Sequence, residues 1–282
     1  MKKFLKITGI SLLSLIALAF LIPVLFRKQV QSLVKKEINK QLNAKVDFKD
    51  LHISLFKHFP KITISIEGLS IVGKDIYQSD TLLSTRELDV TAGLFSVLRG
   101  KNIKVQAVYA HSPHIRLLVN RFGKPNWDIV KQAEISDSTG QSGPSAFQLS
   151  LKKYVISDGT LEYDDQQGNT KIALHQFDHS GSGNFTADVF TLSSSTRASS
   201  VNFIQDGIPY LFHTRTVMDA DIKIDNQTNT YTFKTDDIQL NELQLSTEGF
   251  IQILNAETFK TDIEFSSPGN DFKKILSLVP AV

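Results

Sequence analysis

The chain has 282 residues, of which 41% are hydrophobic and 21% are charged, a composition typical of a folded protein rather than a disordered one. Its 31 basic and 29 acidic residues leave a net charge of +2, so no overall field would recruit nucleic acid. The chain contains no cysteine, which excludes disulfides, thiolate catalysis and cysteine-ligated zinc or iron–sulfur centres.

The first 28 residues predict a membrane anchor. Residues 7–26 carry no charge, and about 20 residues rising about 1.5 Å each match the ~30 Å hydrocarbon core of a bilayer. A cleaved signal peptide is the competing interpretation, because Ala17-Leu18-Ala19 resembles a cleavage site. We favour an uncleaved anchor because of the length of the apolar run. Lysines on both sides of the run leave its orientation open.

An amphipathic helix is predicted directly after the anchor. Between Lys28 and Leu42 the apolar residues recur at intervals of three and four, at Val30, Leu33, Val34, Ile38 and Leu42. The stripe could cap the end of the following sheet or lie on the membrane surface. We favour the cap, because core-facing stripes are the more common case.

From Lys45 onward the hydrophobic period changes to two and predicts strands. Ile62, Ile64 and Ile66 alternate with polar residues, as do Ile103 and Val105. Turn residues separate the runs and predict tight reversals at Asp158-Gly159, Gly168-Asn169, Asp206-Gly207 and Asp225-Asn226, and a further hairpin is predicted at Pro113. The expected fold class is mainly β: an elongated antiparallel sheet with few short helices, one apolar face and one solvated polar face.

The predicted sheet has too few helices to cover its apolar face. It must therefore curl on itself, pack against another sheet, or hold an apolar guest that is not protein. About 15 strands spaced about 4.8 Å apart would make it about 70 Å wide.

The predicted domains follow these changes in pattern. They are residues 1–28, the N-terminal stub and anchor; 29–135, the helix and first strands; 136–145, a Ser/Gly-rich linker; and 146–282, further strands ending in a helix. That last helix spans the apolar residues from Phe272 to Val279 and stops at Pro280. We expect the natural protein to continue beyond Val282.

No arrangement of residues predicts catalysis. His111 with His114, and His175 with His179, lack the helical context that places two imidazoles on one metal. The acidic pair Asp164-Asp165 lacks calcium-loop spacing. Nucleotide-binding, hydrolase and zinc-protease motifs are also missing from the sequence. We therefore predict a protein that is not an enzyme, with no catalytic residue, no metal site and no cofactor.

Four segments carry a resemblance to a known family. They are DLHISLFKHFPKITISIEGLSIVG at 50–73, LFSVLRG at 94–100, GKPNW at 123–127 and, more loosely, ISDGTLEYDD at 156–165. With the N-terminal span, they resemble the N-terminal portion of the AsmA family of envelope proteins, most clearly from Phe4 to about Val130. The resemblance implies a single-pass inner-membrane anchor with a cytoplasmic N-terminus. It also implies a periplasmic body with a taco-like β-groove, related to the chorein-type bridge proteins that conduct phospholipids between membranes.

The resemblance and the alternation together suggest a function in lipid binding or transport that supports outer-membrane lipid homeostasis or assembly. Acyl chains would lie on the apolar strand faces, at about 0.8 kcal/mol per buried methylene, and the headgroups would stay in water. The expected partners are the phospholipid bilayer, phospholipid acyl chains and envelope proteins, and not nucleic acid. The candidate lining residues are Ile62, Ile64, Ile66, Leu88, Val90, Ile103, Val105, Ile115 and Leu117.

Two alternatives remain open at this point. The same residues could form the solid core of a β-sandwich, because alternation reports burial and not what causes it. The protein would then be a membrane-tethered structural or assembly factor that acts through protein contacts. A lipid-modifying or glycan-cleaving enzyme is the weakest alternative.

Overall fold

A computed structural model describes residues 27–93, 103–131, 147–255 and 258–267, together with Lys274 and Leu278. Four predicted features lie outside the described residues: the membrane span at 7–26, the segment at 94–100, the linker at 136–145, and Phe272, Ile275, Leu276 and Val279 of the C-terminal helix. Within the described part of the chain, no helix is both long and apolar enough to cross a membrane.

The described residues form one α-helix, one short 3-10 turn and 13 strands. The helix, α1, is Arg27–Gln41, which confirms the predicted amphipathic helix, and the turn is Asp75–Tyr77. The strands are β1 Ala44–Asp47, β2 Asp50–His58, β3 Lys61–Gly73, β4 Thr81–Gly93, β5 Ile103–His111, β6 His114–Val119, β7 Phe147–Asp165, β8 Thr170–Ser182, β9 Val189–Gln205, β10 Ile208–Asp225, β11 Thr230–Leu240, β12 Leu243–Ile253 and β13 Phe259–Ser266.

All 13 described strands belong to a single sheet, and its order follows the chain. β1 and β2 lie end to end along β3, and β5 and β6 lie end to end along β7. Gly68, at φ 60, lies opposite the break between β1 and β2, where a Cβ would come 2.8 Å from the Lys49 side chain. The described strands therefore occupy 11 lateral positions, and ten spacings of about 4.8 Å give the described part of the sheet a width of about 48 Å, compared with the ~70 Å expected for the whole chain.

The sheet is mixed and not purely antiparallel. β7 runs parallel to β5 and β6, whereas the other neighbours are antiparallel. A parallel pair needs a long crossover, and residues 120–146, which contain the predicted linker, supply that connection. The division of the chain at 136–145 stays a prediction, although hydrogen bonds join strands from both sides of it.

Two predicted reversals are wrong. The chain does not turn back at Pro113, because β5 and β6 on either side of it run in the same direction. It does not turn back at Asp158-Gly159 either, because this dipeptide lies inside β7. The left-handed residues there, Ser112 (φ 50) and Asp158 (φ 53), form bulges rather than turns. The other three predicted reversals are confirmed between β7 and β8, β9 and β10, and β10 and β11.

The bulges lie next to one another from strand to strand. Their left-handed residues are Ser112, Asp158, Gln176 and His213. Ser112 Oγ donates to Asp158 Oδ2 at 3.1 Å, and Ser200 Oγ lies 3.1 Å from His213 Nδ1. Because a bulge bends its strand and increases the local twist, we expect this row to bend the sheet along one line from β5 to β10.

α1 packs on the apolar face of the first strands. Val46, Phe48 and Leu69 form the buried cluster beneath it. Val34, Ile38 and Leu42 of the helix pack against that cluster, each contributing up to about 1.5–3 kcal/mol if fully buried. Asn39 fixes the helix to β1, since its side chain accepts from Val46 N at 2.8 Å and donates to Val46 O at 2.7 Å. The predicted capping role of the helix is confirmed.

Candidate functional site

The predicted lining residues share one face of the sheet. Ile64 pairs with Val90 and Ile66 with Leu88, and directly paired residues of neighbouring strands project to the same face. Ile62 and Val105 both pair with Ala92, Ile115 pairs with Leu83, and Leu117 lies two residues further along β6. Ile103 pairs with Phe147 through its backbone, and its side chain lies outside the described ones.

The same apolar face continues across the second half of the sheet. One row of cross-strand partners runs from β3 to β12 as Ile66, Leu88, Ala110, Ile156, His179, Thr196, Met218, Ile238 and Leu245. A second row contains Ile115, Leu161, Leu174 and Val201. The sequence predicted these strands but did not single out their residues as lining. The signal that could have identified them is the same alternation of apolar and polar residues, which begins in the second half of the chain at Leu161 and Tyr163.

No second sheet packs on this face among the described elements. All 13 described strands belong to one sheet, and α1 contacts β1 and β2. α1 covers the face only over the first strands. Beyond it, Leu161, Leu174 and Val201 are half-buried, which is typical of side chains shielded by their neighbours but not by a facing layer. Phe177 on the same face is buried, because its ring lies over Gly159.

A short chain of hydrogen bonds interrupts the apolar face. Tyr154 Oη lies 2.9 Å from His179 Nε2, and His179 Nδ1 lies 2.8 Å from Thr196 Oγ1. Burial lowers the pKa of His179 and raises the pKa of Tyr154, so both groups are held neutral. Because these polar atoms bond to one another, they can line an apolar surface without an unpaired charge. The prediction that His175 and His179 are solvated turn residues is wrong for His179.

The opposite face of the first strands holds a buried polar cluster. The side chains of Thr63, Ser65, Asp89 and Thr91 are fully buried, although the sequence predicted a solvated face here. Lys57 covers Asp89, with its Nζ 3.0 Å from Oδ1 and 2.9 Å from Oδ2. This part of the prediction is wrong because the end of β2 bends over the face, where its register with β3 shifts between Ser54 and His58.

The charges of this cluster compensate one another. Burial alone would raise the pKa of Asp89, but hydrogen bonds from Ser65 and Lys57 outweigh burial and lower it. Burial would lower the pKa of Lys57, but its bonds to Glu87 and Asp89 raise it. His111 Nε2 lies 3.6 Å from Asp89 Oδ2, so His111 belongs to the cluster and not to a solvated turn. The arrangement resembles a structural ion network rather than an open site.

Comparison with known proteins places the chain in a family. A model of the AsmA family matches residues 1–275. The chain belongs to the AsmA family. Searches of curated proteins and of solved structures gave no match.

The AsmA match extends far beyond the segments that first carried the resemblance. It covers the described strands from β7 to β13, where the resemblance was only loose, and it also covers residues 1–26. The apolar face of this AsmA-family chain therefore lies within the family match along its whole described length. Within the described residues, no group of three or more His, Asp or Glu side chains is placed to hold a metal ion.

Proposed function

We propose that this AsmA-family chain is a single-pass inner-membrane protein whose periplasmic body binds or conducts phospholipids, and that it supports outer-membrane lipid homeostasis or assembly. The observation that carries the proposal is the apolar face, which crosses the sheet from β3 to β12 with no second sheet against it among the described elements. An apolar surface of this extent needs a partner, and acyl chains supply one.

The binding mode follows from the physical character of the face. Hydrocarbon gains about 0.8 kcal/mol for each methylene removed from water, so two acyl chains can be held without any specific polar contact. The row of bulges from Ser112 to His213 bends the sheet, and we place the acyl chains inside that bend, in a taco-like groove. The headgroup stays in water at the open side. Sliding along such a surface needs no catalytic group.

The anchor places the start of the apolar face at a membrane. Residues 7–26 lead directly into α1, and α1 lies on the apolar face of β1 and β2. With the N-terminus in the cytoplasm, the sheet lies in the periplasm. A lipid that leaves the outer leaflet of the inner membrane then passes α1, which covers Leu51 and Ile66, before it reaches the open face of the later strands.

A second candidate function, an assembly factor that docks proteins, is favoured by the last described strand. Every residue of β13 is exposed, including Phe259 and Phe265. β13 ends the order of the described sheet, and such a strand can accept a further strand from a partner. This function and lipid binding use different parts of the sheet and can be separated by experiment.

The test uses two neighbouring half-buried residues that project to opposite faces of β8. The full chain is reconstituted in vesicles that contain a phospholipid with a photoactivatable acyl chain, and cross-linked peptides are mapped. Leu174→Asp places a charge on the apolar face, and Ala173→Asp places the same charge on the other face. We expect cross-links in β7 to β12 that Leu174→Asp reduces at least tenfold and Ala173→Asp leaves unchanged. Cross-links confined to residues 1–41 in the unmodified chain would reject the proposal.

A further inference from the structure

The end of the β2–β3 hairpin exposes two phenylalanines. Phe56 is 85% exposed and Phe59 is 74% exposed, and they lie three residues apart at the tip between β2 and β3. A single exposed apolar side chain is ordinary, whereas large exposed apolar patches mark interaction surfaces, and this hairpin end presents two exposed rings.

The residues between the two phenylalanines hold them outward. Lys57 Nζ donates to Glu87 Oε1 at 2.6 Å and to Asp89 Oδ1 at 3.0 Å, within the buried polar cluster. The His58 ring stacks on Tyr109 with the ring centroids 4.3 Å apart. Because Lys57 and His58 are fixed against the sheet, the exposure of Phe56 and Phe59 is built into the hairpin.

The hairpin points toward the side from which the chain enters α1. α1 runs antiparallel to β1 and β2: Asn39 bonds to Val46, and Gln31 bonds to Asp50 at 2.5 Å. The direction from Asn39 to the N-terminal end of α1 is therefore the direction along β2 toward Phe56. At about 3.3 Å per strand residue the tip lies about 20 Å beyond Asp50, whereas Arg27 lies only about 6 Å beyond Gln31. The tip of the hairpin therefore extends farther in this direction than Arg27, the first residue of α1.

Apart from the Lys57–Asp89 pair of the buried polar cluster, the strand ends around the tip carry positive charge. Residues 54–64, 103–107 and 147–157 meet at this end of the sheet through the pairing of β2, β3, β4, β5 and β7. They contain no Asp or Glu, and their basic residues are Lys57, Lys61, Lys104, Lys152 and Lys153. Lys104, Lys152 and Lys153 are exposed.

The opposite end of the sheet offers a contrast. Phe122 there is 92% exposed, but its neighbour Arg121 shares a surface cleft with Asp164 and Asp165. Exposed aromatic residues among lysines are typical of surfaces that lie in the headgroup region of a bilayer, and acidic residues are not. Membrane contact is therefore expected at Phe56 and Phe59 and not at Phe122.

We propose that the hairpin tip, residues 56–60, docks on the same bilayer that holds the N-terminal anchor. Phe56 and Phe59 enter the headgroup region, and the exposed Lys104, Lys152 and Lys153 face lipid phosphates. This inference rests on the anchor in the proposed function and adds a second point of attachment. Two points fix the orientation of the first strands, so that the apolar face begins against the membrane.

The absence of native cysteine allows a direct test with single-cysteine variants of the full chain. Lys28→Cys, Phe56→Cys, Phe59→Cys and Phe122→Cys each receive an environment-sensitive fluorophore, and the chain is reconstituted in phosphatidylethanolamine–phosphatidylglycerol vesicles. Brominated acyl chains then quench labels that touch lipid. We expect at least twofold quenching and a blue-shifted emission at 28, 56 and 59, and neither effect at 122.

A second set of variants separates docking from the effect of the label. In Lys61→Cys chains, we expect the double change Phe56→Ser and Phe59→Ser to abolish quenching at position 61, whereas Phe122→Ser leaves it unchanged. Quenching at 28 with none at 56 and 59 overturns the docking and leaves the anchor standing. Loss of quenching at all positions overturns both the docking of the hairpin tip and the N-terminal anchor. Self-quenching between labels at 56 without bromolipid quenching assigns the tip to a second copy of the chain and also overturns the proposal. None of these results depends on the cross-links in β7 to β12.

Discussion

The first strands and the later strands share one alternation of apolar and polar residues but differ in what covers them. Over β1 to β4, α1 covers the apolar face, and Lys57 and His58 cover the polar face. Over β7 to β12, no described helix or second sheet lies on the apolar face, and most of its side chains are half-buried. The same pattern therefore makes a packed end that holds its shape and an open surface that can accept a ligand.

The largest expected difference concerns core truncation. Phe48→Ala removes a buried ring beneath α1, and we expect a loss of about 3–5 kcal/mol in the free energy of unfolding. Phe233→Ala removes a half-buried ring of the open face, and we expect about 1 kcal/mol. Urea unfolding of the full chain in detergent micelles, followed by circular dichroism, measures both. Equal losses would show that the later strands are packed as tightly as the first.

The next effect concerns the ion network. Lys57→Met leaves the buried Asp89 without its cation, and a broken buried pair costs about 3–5 kcal/mol. Because the Lys57 side chain is 33% exposed, we expect about 2–3 kcal/mol. Lys234→Met is the matched change in the later strands, where both partners are exposed and 3.8 Å apart, and we expect at most about 1 kcal/mol.

A double variant tests whether the cost of Lys57→Met arises from the unpaired Asp89 carboxylate. If the cost of Lys57→Met arises from the unpaired carboxylate, Asp89→Asn should recover part of it in the double variant. A double variant that is less stable than Lys57→Met alone, in the same urea titration, would instead assign the cost to the lost hydrogen bonds.

The smallest expected effect is a pH dependence present in both regions. Burial lowers the pKa of His58 in the first strands and of His179 in the later ones. Below the ordinary value of 6.5, the unfolded chain binds protons that the folded chain does not, so stability falls as pH falls. His179→Gln keeps a hydrogen-bonding group that does not titrate. We expect it to flatten the decrease in unfolding free energy between about pH 6.5 and 5, and an unchanged slope would contradict the neutral state of His179.

The alternation predicted the strands and the shared face of the lining residues, but it could not predict how strands pair. Asp158-Gly159 and Asp206-Gly207 are the same dipeptide in similar surroundings. Asp206 and Gly207 take φ of 51 and 80 and close a hairpin, as expected of such a pair. Asp158 takes φ 53 inside β7, because the segments on both sides of it pair with β5 and β6 and with β8. Long-range pairing decides between a bulge and a turn.

The buried polar cluster escaped prediction for a related reason. Thr63, Ser65 and Asp89 alternate with isoleucines and valines as residues of a solvated face do. Their burial depends on the end of β2 bending back over them, a contact between distant atoms that no local pattern encodes. The shared face of the candidate lining residues was predictable because it depends only on the period of two and on cross-strand pairing.

The most direct test of the lipid-binding face compares positions 174 and 173 in the full chain. A fluorophore on Leu174→Cys or on Ala173→Cys is exposed to vesicles whose phospholipids carry brominated acyl chains. Acyl chains held on the apolar face would quench the label at 174 at least twofold and leave the label at 173 unaffected. Equal quenching at the two positions, or none at either, would contradict the binding of acyl chains to the apolar face.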